Sequence, residues 1–170
     1  SRTRRGPARP TTRGHRGIQG GARLVERGVE DRPVGRLETP PEHLVASGGL
    51  FHGFQLWVNL PKRDKMMRPR YQEIPSARIP TARSDDGKVS VRVIAGEALG
   101  SKAVIETRTP IQYLHFTIQP GARIVQPVPR DYNAFAYVIE GAGSLGVEER
   151  AVTRRQMVMF ANDGDDVVIT

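Results

Sequence analysis

The sequence predicts an all-β fold, and three observations carry that prediction. Short runs that alternate apolar and polar residues recur about every ten residues from position 50 onward. Glycine and proline punctuate the gaps between them, with 18 and 13 copies in the chain. No stretch holds apolar residues at the 3.6-residue period long enough to make an amphipathic helix. The pattern fits an antiparallel sandwich or barrel.

Taken in order, residues 50–60 alternate around Phe54, Leu56 and Val58 and read as a strand stopped by Pro61. Residues 62–70 form a basic, Met-containing connector in which Pro69 forbids a long helix. Pro75 and Pro80 then bracket a short extended piece within residues 71–80. Residues 89–95 place Val89, Val91, Val93 and Ala95 on one face and form the clearest strand of the chain. Residues 111–118 and 122–128 read as two strands on either side of the turn Pro120-Gly121. Residues 134–139 read as another, running into the glycine-rich turn Glu140-Gly141-Ala142-Gly143. The last two are residues 156–160 and 166–170. The sequence stops at Val167-Val168-Ile169-Thr170, inside a strand, so the C-terminus reads as truncated. An unpaired apolar edge there promotes aggregation, and poor solubility or partial unfolding is expected.

Composition narrows the chemistry. The 170 residues include no cysteine, which excludes a disulfide framework, a zinc ribbon, an iron–sulfur site and a cysteine nucleophile. No apolar run approaches the roughly 20 residues that cross a bilayer, and the N-terminus lacks the apolar core of a secretory signal. A soluble, cytoplasmic protein without a membrane partner is expected. The net charge of +8 is unevenly spread: residues 1–40 hold ten arginines against four acids, with no lysine or aromatic residue. Their apolar residues follow no period, so no face can be buried and the segment is expected to be disordered. Arginine clusters neutralise phosphates, but here no aromatic residues accompany them for base stacking. A charged tail is the better reading, with no direct nucleic-acid partner.

The run His52-Gly53-Phe54-Gln55-Leu56-Trp57-Val58-Asn59-Leu60-Pro61, followed by Asp64-Lys65-Met66 and Pro69-Arg70-Tyr71-Gln72, closely resembles the pirin family. Val93-Ile94-Ala95-Gly96 and Asn133-Ala134-Phe135 to Glu140-Gly141 continue the resemblance, which covers residues 41–170. It implies a bicupin, two jelly-roll-like β-barrels face to face, of which this chain holds part. The division it implies is residues 1–40 disordered, 41–80 the end of an N-terminal cupin and its linker, and 81–170 a truncated C-terminal cupin. It also implies iron in the first cupin, held by a His-x-His pair and a later His-x-Glu element. Such a set suits non-haem iron and oxygen. The activity implied is an iron-dependent quercetin 2,3-dioxygenase; the alternative is a non-enzymatic cupin that binds a protein partner as a transcriptional cofactor. A monomer is expected.

The chain departs from the family where that chemistry belongs. His-x-His occurs nowhere, and the His-Ser-Glu expected before the Pro-Pro-Glu stretch appears as Arg36-Leu37-Glu38. Glu38 alone fits the carboxylate register, and one carboxylate cannot hold iron. Back-translated with G/C-rich codons and read one nucleotide later, residues 24–36 yield Trp-Trp-Ser-Ala-Gly-Ser-Arg-Ile-Val-Arg-Ser-Asp, similar to the family's segment. An out-of-frame N-terminus, residues 1 to about 37, is the reading that follows.

His52 reads as a structural strand histidine; the alternative is a side chain facing the first-cupin cavity, but ligand sets need convergent partners. His115 sits between apolar neighbours and reads as packed or at an edge, while His15 and His43 lie in loop-like text. Counting a cupin metal motif from Gly121 reaches Gln126-Pro127-Val128-Pro129, with Glu140-Gly141 downstream, and meets no histidine. The second barrel is expected to hold no metal. Asp163-Gly164-Asp165-Asp166 lacks the spacing and closing Glu of a calcium loop and reads as a polar hairpin turn. Trp57, the only tryptophan, reads as core. The expectation is therefore a chain with no catalytic, cofactor-binding or metal residues, hence catalytically inactive.

Overall fold

The computed structural model describes residues 22–26, 46–48 and 53–170. Thirteen strands run through them: β1 (Ala22–Glu26), β2 (Arg70–Ile74), β3 (Thr81–Arg83), β4 (Val89–Ala95), β5 (Glu97–Ala98), β6 (Ser101–Lys102), β7 (Tyr113–Ile118), β8 (Ile124–Pro127), β9 (Phe135–Tyr137), β10 (Ala142–Leu145), β11 (Arg150–Thr153), β12 (Met157–Met159) and β13 (Asp166–Ile169). One-turn 3-10 helices occupy Lys62–Asp64 and Ser76–Arg78. Every strand pair is antiparallel. The architecture is all-β and cupin-like. No helix among the described residues is long and apolar enough to cross a membrane.

Strand β4 organises the core. Its alternation sends Val89, Val91, Val93 and Ala95 inward, and the three valines are almost fully buried. It lies between β3 and β7, so both of its backbone edges are paired. Val91 and Val93 pack with Ala98, Leu114 and Phe116, and Val89 packs with Ala122, Ile124 and Ile169. The β3–β4 turn is fixed by Ser84, whose backbone N–H donates to the Val89 carbonyl (2.9 Å) and whose hydroxyl donates to Asp86 (2.6 Å). The Ser84 hydroxyl, and after it the Lys88 backbone N–H, hold the Asp86 carboxyl below its ordinary pKa.

The second layer is the four-stranded sheet β11-β10-β13-β8. Strand β8 follows a turn in which the Ala122 N–H donates to Gln119 (3.0 Å) and Gly121 takes φ +77°, a conformation glycine adopts without steric cost. Strand β13 pairs with β8 along its length and meets β10 on its other side, where Thr170 and Ser144 exchange two backbone hydrogen bonds. The expected exposed C-terminal edge is therefore not formed: residues 166–170 lie inside the sheet.

Four other expectations are corrected. Residues 53–59 belong to no strand, although Phe54, Leu56 and Val58 alternate as a strand would. Trp57 is 90% exposed rather than core, because no described strand lies beside it. The Asp163–Asp166 turn is not a hairpin: β12 pairs with β9 while β13 pairs with β8, so the turn crosses between sheets. Strand β1 pairs with β2 inside the stretch expected to lack structure, through backbone contacts that need no apolar period. The rest of residues 1–40, with Glu38, His15, His43 and His52, lies outside the described residues, as does the proposed change of reading frame.

Candidate functional site

Three places could carry function, beginning with the barrel interior. The turn before β8 buries Ala122, and β8 buries Ile124 and Gln126 and leaves Val125 and Pro127 exposed. Two inward positions are aliphatic, and the third is an amide that is already engaged. The Gln126 side chain donates to its neighbour's carbonyl, Pro127 (2.9 Å), and more loosely to that of Glu97 on β5 (3.4 Å). A buried amide without such partners would be costly, so this pairing fixes its rotamer. The position reached by counting from Gly121 faces outward at Pro127. Glu140 is exposed in the turn before β10.

His115 is the one histidine among the described residues. It stands on β7, directly opposite Arg92 of β4, and is half-buried. Burial lowers its pKa, and the Arg92 charge lowers it further. Arg92 itself reaches across to donate to the Ser76 hydroxyl (2.7 Å) and carbonyl (3.2 Å). Tyr113, at the start of the same strand, is pushed upward by burial. Among the described residues, no group of three or more His, Cys, Asp or Glu side chains is placed to hold a metal ion.

The second place is the motif segment 59–72. Its polar residues clamp protein backbone. Arg70 and Gln72 both donate to the Glu106 carbonyl (2.8 Å each), and the Gln72 amide oxygen accepts from the Glu106 N–H (3.3 Å). Arg70 also lies 3.6 Å from the Glu106 carboxylate. The Asn59 carbonyl accepts from the Thr109 hydroxyl (3.0 Å), while its side chain accepts from Lys65 (2.7 Å). Residues that read in sequence as a family signature thus tie the connector to the loop between β6 and β7.

The third place is the ribbon formed by β9 and β12. Its register sets Phe135 opposite Met159 and Tyr137 opposite Met157, so four apolar side chains share one face. All four are exposed. Phe54, from the segment that forms no strand, meets Tyr137 edge-on, with ring centroids 5.3 Å apart and planes at 65°. The Asp163–Asp166 turn is exposed and braced by Arg130, which donates to the Asp163 carbonyl (3.0 Å). Of the residues singled out from sequence, Phe54 and Tyr137 are brought together and Arg70 and Gln72 converge on Glu106. His115 and Gln126 remain in separate settings. The Glu106 contact lay beyond sequence reasoning, since its partners are 34 and 36 positions away.

Comparison with known proteins sharpens these observations. Residues 113–170 match the Pirin C-terminal cupin domain. The chain is 41% identical to a pirin-like protein of Solanum lycopersicum over 124 residues, 73% of the chain and 42% of that protein. It is 36% identical to Pirin-1 of Arabidopsis thaliana over 163 residues, 86% and 56% respectively. With human pirin the identity is 49% over 98 residues, 58% and 33% respectively. The chain thus spans about half or less of the length of these relatives. A solved protein of Geobacillus kaustophilus superimposes with a TM-score of 0.63 at 30% identity, over 67% of the chain and 47% of that structure. A solved quercetin 2,3-dioxygenase of Acinetobacter baumannii gives 0.60 at 26% identity, over 66% and 39%.

Proposed function

Because the chain belongs to the pirin family, we propose that it acts as a pirin-like cupin that binds without catalysing oxidation. Among the described residues no imidazole and carboxylate side chains converge as the family's iron would need. One observation carries the reading: the sequence holds no His-x-His pair, and in the second barrel β8 buries only Ile124 and the amide of Gln126, whose N–H groups are directed at backbone carbonyls. Iron(II) needs imidazole and carboxylate donors that converge, and His115 stands opposite a guanidinium instead. The dioxygenase activity named for the Acinetobacter protein is accordingly not extended to this chain.

The test is direct. The full chain is mixed with iron(II) and quercetin, and oxygen uptake is followed. Uptake at the rate of a protein-free control is the expected result; turnover above that rate overturns the proposal.

A protein-binding role as a regulatory cofactor is the second reading, and the exposed β9–β12 face favours it. Contiguous apolar side chains at a surface mark places where another apolar surface docks.

A further inference from the structure

The outward face of the β3-β4-β7 sheet carries a charge pattern that packing does not require. Ala82, Leu114 and Phe116 pack inward with Val91 and Val93. Alternation therefore sends Thr81, Arg83, Ser90, Arg92, His115 and Thr117 to the other side. The register sets these six in two rows across the sheet, Arg83-Ser90-Thr117 and Thr81-Arg92-His115. Neighbouring strands lie about 4.8 Å apart, and same-face residues along a strand about 6.7 Å. Two guanidiniums, an imidazole and three hydroxyls thus share one small patch, and none of the six positions carries a carboxylate.

Like charges placed directly opposite on a sheet oppose each other. Arg92 stands opposite His115, and Ser76 holds it there, accepting from the guanidinium through its hydroxyl (2.7 Å) and its carbonyl (3.2 Å). His115 gives up its proton more readily as a result, through burial first and the Arg92 charge second. Tyr113, two residues along β7, is the other titratable group of that strand, and burial keeps it neutral. The nearest acids along the chain lie in the β3–β4 turn, where Asp86 accepts from the Ser84 hydroxyl and the Lys88 N–H. Among the described residues no carboxylate forms an ion pair with Arg83, which is exposed.

We propose that this face binds a phosphate group, seated over Ser90 between Arg83 and Arg92, with His115 and Thr117 on its far side. A tetrahedral oxyanion presents acceptor oxygens in several directions and suits the forked donors of guanidinium groups. The Ser90 and Thr117 hydroxyls donate to the oxygens that the arginines leave. His115 adds a third positive charge once protonated, so anion and proton bind together.

The test follows the His115 ring signals of the full chain through a pH titration, in inorganic phosphate and in chloride of equal ionic strength. Phosphate should raise the His115 midpoint saturably, by about one pH unit, as a nearby anion does. Arg83→Gln alters an exposed residue; it should leave the midpoint in chloride unchanged and remove most of the rise in phosphate. Arg92→Gln should raise the midpoint in chloride, because the repulsion is gone, and should also lose the phosphate response. O-phosphoserine separates the two sources of the group: saturation at lower concentration than inorganic phosphate supports a monoester, and at equal or higher concentration the free ion. Equal midpoints in phosphate and chloride overturn the site. A full phosphate response in Arg83→Gln overturns it as well, since the anion would then not span the two rows.

Discussion

Strand β4 and residues 54–58 have the same kind of sequence and opposite fates. Both alternate apolar residues at a period of two. In β4 the result is three nearly inaccessible valines, whereas Trp57 stands almost fully exposed and Phe54, Leu56 and Val58 are only partly covered. The difference is the neighbours. Strand β4 has β3 on one edge and β7 on the other, while residues 53–59 belong to no strand. Alternation states what a segment can bury; a partner at each edge decides whether it does.

The contrast can be broken by truncation. Val93→Ala removes buried methyl groups from the centre of β4 and should cost about 2 kcal/mol, read as a fall in the denaturant midpoint. Val58→Ala, at a half-exposed position, should cost under about 1 kcal/mol. Equal costs would show that residues 54–58 are as deeply packed as β4.

Gly96 sharpens the account of what ends β4. It sits at φ +81°, and an added Cβ would lie 2.9 Å from the Ile111 carbonyl and the Gln112 side chain. Gly96→Ala should cost about 2 kcal/mol, because strain and contact act together. A stability equal to the parent chain would mean that the loop before β7 yields.

These two positions also mark how far the sequence was legible. Strands β4, β7, β8, β9, β12 and β13 follow from alternation and punctuation, since each carries at least one inward apolar residue near a glycine or proline. Strand β10 did not, because Ala142-Gly143-Ser144-Leu145 has no period. Gly143 is small because the Thr170 carbonyl packs against it, a contact between positions 27 apart that no local pattern reveals. The β5–β6 hairpin was hidden for another reason. Leu99 and Gly100 both take positive φ at its turn, where Asn-Gly is the usual signal. At the candidate site, the histidine count was legible at once, but the engagement of Gln126 was not. Residue type sets only average burial, whereas the exposure of Trp57 follows from its neighbours at that place.

A smaller effect tests the clamp on the connector. Gln72→Ala removes two hydrogen bonds to the Glu106 backbone at a solvent-accessible site and should cost about 1 kcal/mol or less. Amide exchange at residue 106 should quicken, while β4 amides keep their protection. Equal loss of protection in both would mean that the clamp supports the core itself.

The smallest effect is the pH response of His115. Its folded pKa lies below the ordinary value of 6.5, so the unfolded chain binds the proton more readily. Stability is therefore complete above about pH 6.5 and declines as pH falls from there toward the folded pKa. His115→Gln should flatten that part of the stability profile. A wild-type profile that rises on acidification across the same window would contradict the burial assigned to this side chain.

The central claim, a pirin-family cupin chain that works without iron, is tested most directly by counting metal. The full chain is dialysed anaerobically against iron(II), and the iron retained per chain is determined. Retention far below one iron per chain, with no change in the His115 ring signals, is the expected result. Stoichiometric, tightly held iron would contradict it.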